Sequence, residues 1–244
     1  MKAMILAAGL GTRLRPVTKD IPKALAQVDG KPLLSIVMER LKKAGFSDFV
    51  INTHYFAEKI DEYLRENDNF GCRIDISHEA GLLLETGGGI KRARPLLEGD
   101  GRFLIHNVDI LSNLNIPEFI ANAPKDALAT LALCERDSTR YLLFDDNMRL
   151  LGWTDAASGR IRSPYKNLDP DKCRKYSFTG IHLISDRIFP VMEEWDDVFS
   201  IIDLYLAVAA DYPIYGYLQE GIRMLDAGKP ETLAAAAEFL RSLD

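Results

Sequence analysis

Cysteine and long apolar runs are both scarce in this chain. The three cysteines, Cys72, Cys134 and Cys173, are odd in number and far apart, which excludes a disulfide framework or a CxxC metal site as the basis of the fold. No stretch approaches the roughly 18 uninterrupted apolar residues of a membrane span, and no apolar leader segment follows Met1. We therefore expect no membrane partner and a cytoplasmic location.

Positive charge is also scarce. The 30 Lys and Arg residues are outnumbered by 36 Asp and Glu, so the net charge is −6. Proteins that bind a nucleic-acid backbone need a basic surface, and we expect no nucleic-acid partner. The four histidines lack metal-ligand spacing, which argues against a zinc site. A 244-residue chain with 47% hydrophobic residues is typical of a globular protein, and we predict one domain, 1–244.

Apolar runs and helical spacings alternate in the first half of the chain, 1–125. The predicted strands are 2–7, 49–52, 72–77 and 103–105. The predicted helices are 33–44, 57–65 and 87–97. This alternation predicts right-handed βαβ units, and hence an α/β fold with a doubly wound, mostly parallel, Rossmann-like sheet covered by helices on both faces.

The rhythm changes in the second half, 126–244. Strands at 128–133, 141–144 and 148–153, with a turn at 145–147, predict a small antiparallel hairpin. The stretch 154–175 is rich in Ser, Gly, Asp, Pro and Lys, which predicts a long loop or lid. The segment 230–243 begins with Pro230 and predicts a closing helix.

The segment that follows the first predicted strand carries the strongest chemical signal. Its motifs are LAAGLGTRLRP (6–16) and PKAL (22–25). Gly9 and Gly11 have no Cβ, so main-chain N–H groups can surround phosphate oxygens, and Thr12 and Arg13 add donors and charge. A dinucleotide-binding loop would need glycine at Leu14, and a P-loop would need Gly-Lys-Ser/Thr, which does not occur. A glycine pair alone would be equally compatible with an ordinary turn.

With these motifs the chain resembles the sugar-1-phosphate nucleotidyltransferases, which include mannose-1-phosphate guanylyltransferases and glucose-1-phosphate thymidylyltransferases. The runs LETGGG (84–89) and FTGI (178–181) are most similar to those of bacterial N-acetylmuramate 1-phosphate uridylyltransferases. The resemblance covers most of the chain and is weakest between Cys134 and Tyr176. It implies an enzyme of nucleotide-sugar and cell-wall biosynthesis that transfers a nucleotidyl group from a nucleoside triphosphate, UTP before GTP, to a sugar 1-phosphate.

The resemblance also implies that 1–125 is the nucleotide-binding half and that 126–244 is the sugar-binding half with a C-terminal helix, with the small antiparallel hairpin or lid on the sugar side. It further implies roles for individual residues. Nucleotide-binding roles fall on Ala7, Ala8, Gly9, Gly11, Thr12, Arg13, Lys23, Thr86 and Gly87. Catalytic roles fall on Arg13, Lys23 and Asp109, and sugar-binding roles on Glu85 and Gly180. Mg²⁺ is the implied cofactor, with Asp109 and Asp226 as its ligands. Magnesium commonly takes one or two carboxylates and completes its shell with phosphate oxygens and water, so two aspartates suffice.

Several of these residues also have a plainer structural interpretation. Lys23 would otherwise be an exposed lysine that begins a turn, and Thr86 would be a helix cap. Each aspartate would be a cap or turn residue. In the functional interpretation, Gly87 lacks a Cβ so that a flat base can approach closely. The segment 52–54 lies at the edge where ligands of open sheets collect and receives only a minor role.

Two residues depart from the family pattern. Val108 stands where the family often has glycine, and a β-branched residue resists positive φ. Lys229 stands where threonine is common; it caps a helix poorly but adds positive charge near the predicted metal. Val108 keeps open the alternative of a nucleotide-sugar sensor without turnover, and transfer to a non-sugar phosphate such as phosphocholine is a further alternative. The sequence leaves the base, the sugar and a homo-oligomeric state open.

Overall fold

Strands and helices alternate from the N-terminus onward in the computed structural model, which describes residues 1–243. The strands are β1 (Ala3–Leu6), β2 (Gln27–Val28), β3 (Lys31–Pro32), β4 (Asp48–Thr53), β5 (Arg73–His78), β6 (Arg102–Asn107), β7 (Ile110–Ser112), β8 (Ala129–Cys134), β9 (Arg140–Phe144), β10 (Leu150–Asp155), β11 (Arg160–Arg162), β12 (Arg174–Ser185), β13 (Ile214–Leu218) and β14 (Met224–Asp226). The helices are α1 (Leu33–Lys43), α2 (Ala57–Glu66), α3 (Glu85–Arg92), α4 (Arg94–Leu97), α5 (Ile116–Asn122), α6 (Ile188–Met192), α7 (Ile201–Val208) and α8 (Pro230–Arg241). The last residue of the predicted domain, Asp244, lies outside the described residues.

Parallel strands form the centre of the main sheet, in the order β6-β1-β4-β5. Successive side chains of a strand point to opposite faces, and both faces of β1 are buried. Ala3 and Ile5 belong to the core cluster that also contains α1, α2 and α8 residues, while Met4 belongs to the cluster with α3, α6 and α7. A strand covered on both sides must be apolar throughout. The predicted doubly wound α/β class is confirmed.

The second half of the chain extends this sheet with antiparallel strands. The long strand β12 pairs antiparallel with β6, β8 and β9, and β13 then adds to β8 in parallel. The predicted hairpin is present as β9 and β10 around the turn at 145–147. The complete sheet is therefore mixed, with parallel strands at its centre and antiparallel strands on the side of the second half.

Two sequence-based element boundaries were wrong. The predicted loop 154–175 contains β11, which pairs antiparallel with β10 across a turn at Gly159; pairing satisfies main-chain groups that a free loop would leave to water. The predicted helix 87–97 is interrupted at Ala93, where α3 ends and α4 begins. Pro95 lacks an N–H and cannot continue the hydrogen-bond ladder of α3.

A small two-stranded sheet joins distant parts of the chain. Strand β14 pairs antiparallel with β7, with Asp226 opposite Ile110 and Leu225 opposite Leu111. The neighbouring main-chain bond from Ala227 N–H to Asp109 O (2.8 Å) continues this contact. The pairing fixes the region around position 226 beside the end of β6. Within residues 1–243, no helix is both long enough and apolar enough to cross a membrane.

Candidate active site

The loop after β1 leaves several main-chain donors free. Gly11 has a left-handed conformation (φ 64°) and precedes a 3₁₀ turn over Thr12–Leu14. The Thr18 hydroxyl donates to the Gly11 carbonyl (2.7 Å) and holds the loop in place. The N–H groups of residues 9–12 donate to no acceptor among the described residues, and a Cβ added at Gly9 would meet nothing within 4 Å. The loop therefore offers accessible amide donors for an anion.

Ala7 and Ala8 connect β1 to this loop. Both are buried, and the Ala7 N–H donates to Asn52 Oδ1 (2.7 Å). That amide is therefore not available to a phosphate. Asn52 in turn donates to Glu79 Oε1 (2.6 Å), and Glu79 is 2% exposed. Sequence reasoning gave Asn52 a minor role and missed Glu79, because a carboxylate in a loop between a strand and a helix is normally solvated.

Asp109 and Asp226 lie side by side, although 117 positions separate them in the chain. Both carboxylates approach one point, because a Cβ added at Gly228 would lie 2.7 Å from an oxygen of each. Asp226 Oδ1 also accepts the Gly228 N–H (2.8 Å). Lys23 forms a salt bridge with Asp109, and Arg13 Nη1 lies 3.9 Å from Asp226 Oδ2. The structure thus brings together the four charged residues that the sequence predicted to surround the triphosphate.

Asp109 and Asp226 together form what we call the acid pair, and burial and neighbouring polar and charged groups shift the pKa of each. Desolvation raises the pKa of Asp109 above its usual range, against the opposing effect of Lys23. Desolvation also acts to raise the pKa of Asp226, but the hydrogen bond from the Gly228 amide and the neighbouring charges lower it overall. Two carboxylates this close repel each other unless a proton or a cation lies between them. A proton shared by the two carboxyl groups, or a cation bound to both, would relieve this repulsion.

The donor set fits magnesium. Its two carboxylates are hard oxygen ligands of the kind that Mg²⁺ prefers, and the missing Cβ of Gly228 leaves space where they converge. In the part of the chain that the structure describes, no group of three or more His, Cys, Asp or Glu side chains could hold a metal. The remaining ligands would have to be phosphate oxygens and water, as is usual for Mg²⁺ at nucleotide sites.

The LETGGG segment forms the start of α3 but differs from the prediction in detail. The Thr86 hydroxyl does not cap α3; it accepts the Ile201 N–H (3.0 Å). The ring beside Gly87 in this structure belongs to the protein, since a Cβ there would lie 2.2 Å from Phe199 Cε2, and the expected approach of a base to Gly87 stays a prediction. Glu85 has φ 59° and an exposed side chain with no hydrogen-bond partner in the described structure. Its proposed contact with a sugar stays a prediction.

Gly180 lies in β12 where that strand approaches the end of β6. It has φ 85°, and a Cβ there would lie 2.6 Å from Asn107 Nδ2. The register of β12 against β8 is irregular around it, between Phe178 and His182. Asn107 is half-buried and pairs with Leu6 at the end of β1. Sequence reasoning missed Asn107, although its position two residues before Asp109 was a usable signal.

The two departures from the family pattern have simple structural outcomes. Val108 has no positive φ; it is 2% exposed and its N–H donates to Leu6 O (3.2 Å), so the backbone there is compatible with valine. This removes the main argument for the alternative of a nucleotide-sugar sensor without turnover, which was that valine does not fit the backbone before Asp109. Lys229 precedes α8, and the Thr232 hydroxyl accepts the Lys229 N–H (3.3 Å) in place of a side-chain cap at 229. The Lys229 side chain is exposed and lines a cleft with Arg13 and Asp226.

Comparison with known proteins agrees with this geometry. A family model described as nucleotidyl transferase matches residues 2–141, more than half of the chain. The chain belongs to the nucleotidyl transferase family. Its recognition as a sugar-1-phosphate nucleotidyltransferase and the prediction that it is an enzyme are both confirmed.

Three relatives of this nucleotidyltransferase illustrate the range of similarity. The N-acetylmuramate α-1-phosphate uridylyltransferase of Caulobacter vibrioides is 36% identical over 242 residues, covering 96% of this chain and 94% of the relative. The choline-phosphate cytidylyltransferase of Streptococcus pneumoniae is 53% identical over 74 residues, covering 30% of this chain and 31% of the relative. Among solved structures, HddC from Yersinia pseudotuberculosis in complex with GMP-PN has a TM-score of 0.77 at 25% identity, covering 98% of this chain and 99% of HddC.

Proposed function

We propose that this nucleotidyltransferase uses UTP in preference to GTP, and that it transfers the nucleotidyl group to a sugar 1-phosphate with release of pyrophosphate. The uridylyltransferase relative that matches nearly the whole chain supports the choice of UTP. The observation that carries the site assignment is the convergence of Asp109 and Asp226 on the space beside Gly228. Lys23 and Arg13 contact the same two carboxylates. A polyanionic triphosphate with a divalent cation matches this charge arrangement.

In the proposed reaction, an oxygen of the sugar 1-phosphate attacks the α-phosphorus in line. A new P–O bond forms there, and the bond from the α-phosphorus to the bridging oxygen breaks, so that pyrophosphate leaves with the electron pair. The amides of residues 9–12 hold the triphosphate, Arg13 binds its outer phosphates and Lys23 neutralises charge at the α-phosphate. Magnesium held by Asp109 and Asp226 would supply further positive charge against the phosphate oxygens.

The proposed reaction needs no strong general base. A phosphate monoester has a second pKa of about 6 and is already largely ionised at neutral pH. Lys23 is a compact cation on a flexible side chain, able to follow a phosphoryl group as its geometry changes. Among the described residues it pairs with Asp109, so it lies at the proposed reaction centre before substrate binds. Positioning and electrostatic stabilisation therefore account for the proposed catalysis.

A pyrophosphate-release matrix tests the function directly. Four nucleoside triphosphates are assayed against a panel of sugar 1-phosphates, and UTP should give the largest kcat/KM. Asp109→Asn should abolish release with every pair, because the cation ligand and the partner of Lys23 are both lost. Asp146→Asn, an exposed turn residue, serves as the matched control and should keep full activity. Undiminished turnover by Asp109→Asn would remove Asp109 from the mechanism.

A non-sugar acceptor is the second candidate. It is favoured by one observation, the 53% identity over 74 residues with a choline-phosphate cytidylyltransferase. That match covers less than a third of this chain. It therefore shows similarity over a short segment and not over the whole region that would bind the acceptor. Adding phosphocholine to the acceptor panel decides between the two: release that requires phosphocholine and is absent with every sugar 1-phosphate would overturn the sugar assignment.

A further inference from the structure

Arg136 belongs to the second half of the chain and lines the same cleft as Asp226, one of the two predicted metal ligands. It follows β8 in the loop that leads to β9, within the stretch where the family resemblance is weakest. Its Nη1 lies 4.0 Å from Met224 Sδ, and Met224 precedes Asp226 by two residues on β14. Arg136 therefore contacts the strand that carries one member of the acid pair, and it lines the same cleft as Asp226.

Three neighbouring concavities meet at Arg136. The first is a cleft of about 410 Å³ whose charged lining residues are Arg13, Arg136 and Lys229 with Asp137 and Asp226, three cations and two carboxylates, and we name it the basic cleft. The second, of about 220 Å³, is lined by Tyr141, Trp153 and Phe178. The third, of about 930 Å³, lies against β10 and β11. Arg136 lines all three, so a ligand that extends from the basic cleft into either of the other two would lie close to it.

Two of the other cations near the acid pair are already engaged. Lys23 forms a salt bridge with Asp109, and Arg13 is 3.9 Å from Asp226. Arg136 forms no salt bridge with a carboxylate among the described residues, and its side chain is exposed to the basic cleft. An acceptor phosphate carries up to two negative charges and must approach a triphosphate of the same sign. It requires a cation that is not already committed to the triphosphate end.

We infer that Arg136 binds the phosphate of the incoming sugar 1-phosphate and so determines the affinity for the acceptor, an inference that rests on the proposed function. The planar guanidinium presents paired N–H donors that match two phosphate oxygens, which a lysine cannot do. Lys229, on the same cleft, adds positive charge without that geometry. Arg136 orients the acceptor phosphate between the acid pair and the concavities that receive its organic group.

A KM comparison tests this role with the triphosphate and acceptor that give the highest turnover in the matrix. Arg136→Gln should raise the KM for the acceptor by about 10- to 100-fold, the usual effect of losing hydrogen bonds to a charged group, and change the KM for the triphosphate by less than about threefold. Arg136→Lys should fall between wild type and Arg136→Gln. Arg65→Gln, which removes the same charge from an exposed position on α2, should leave both KM values unchanged.

A binding measurement separates this inference from the proposed function. Inorganic phosphate is titrated calorimetrically into the full chain with Mg²⁺ and a non-hydrolysable UTP analogue present. Wild type and Arg65→Gln should bind phosphate, and Arg136→Gln should bind at least about tenfold more weakly. That result in a protein with no turnover would contradict the proposed reaction while supporting the anion site. Equal phosphate binding by Arg136→Gln and wild type, or an equal rise of both KM values, would overturn the role of Arg136.

Discussion

Two glycine-rich segments of this nucleotidyltransferase serve opposite purposes. At Gly9, in the loop after β1, an added Cβ would meet nothing within 4 Å. At Gly87 and Gly88, at the start of α3, it would lie 2.2 Å from the Phe199 ring and 2.0 Å from the Asp197 carbonyl oxygen. The first glycine borders open space, where a ligand can reach the main chain. The others allow the segment 197–199 to pack directly on a helix.

The same residue type therefore indicates a ligand only where its surroundings are open. Gly228 combines both situations, since an added Cβ would meet the ends of the Asp109, Asp226 and Arg13 side chains at 2.7, 2.7 and 3.0 Å. Flexible side chains can move away from a methyl group, whereas main-chain atoms cannot without distorting the fold. Alanine substitutions should therefore separate packing glycines from site glycines by what each change damages.

The largest effect is expected for Gly88→Ala. The Cβ would overlap the Asp197 carbonyl oxygen, so the fold should lose about 3 kcal/mol or more of unfolding free energy, near the upper end of typical overpacking costs. In an unconstrained helix the same change would stabilise by about 1 kcal/mol. Urea denaturation of Gly88→Ala and wild type measures the difference, and a stability gain would show that this packing is not as described.

Gly87→Ala should be destabilising by about 2 kcal/mol, since part of its overlap is with a side chain that can shift. Phe199 supplies the ring at 2.2 Å but also a carbonyl oxygen at 2.9 Å, which a change of side chain cannot relieve. Phe199→Leu should therefore rescue Gly87→Ala in part. Denaturant midpoints for the two single variants and the double variant give the coupling; strict additivity would mean that the two residues do not interact.

Gly228→Ala should reduce turnover by about 100-fold with a loss of stability below about 1 kcal/mol. Its methyl group would displace both carboxylates from the point on which they converge, and misplacing catalytic groups by about 1 Å can cost this much. Pyrophosphate release and urea denaturation are measured on the same preparation. Retained activity, or a loss explained entirely by unfolding, would place Gly228 with the packing glycines.

Gly9→Ala should have the smallest effect on the fold. Stability should stay within about 0.5 kcal/mol of wild type, because the methyl group meets no protein atom. It would enter the space from which a triphosphate reaches the amides, so the KM for the triphosphate should rise severalfold while the KM for the acceptor stays constant. Unchanged kinetics would show that the triphosphate does not approach this part of the loop.

The elements that sequence patterns predicted well are those with a regular period. The apolar run of β1 reflects burial on both faces of the sheet, and the helical spacing of α1 reflects burial on one face of the helix. The ends of both elements were predicted within about two residues, the normal uncertainty of element ends. Strand β11 could not be predicted in the same way. It is a three-residue strand at the sheet edge with partly exposed side chains, so it has no apolar period.

The candidate site was predictable where a motif carried it and not where tertiary contacts did. The proximity of Asp109 and Asp226 was expected only from the family resemblance, because the pairing of β7 with β14 that produces it leaves no local signal. The packing of Gly87 against Phe199 joins residues 112 positions apart. A motif read along the chain could not distinguish that contact from an open binding surface.

Manganese binding to the acid pair is the most direct test of the central proposal, that Asp109 and Asp226 form one cation site beside the loop. Mn²⁺ is titrated, with paramagnetic resonance detection, into wild type, Asp109→Asn and Asp226→Asn in the presence of a non-hydrolysable UTP analogue. Either substitution alone should weaken Mn²⁺ binding by at least about tenfold, a change of 1.4 kcal/mol. Wild-type affinity in either variant would contradict a shared site.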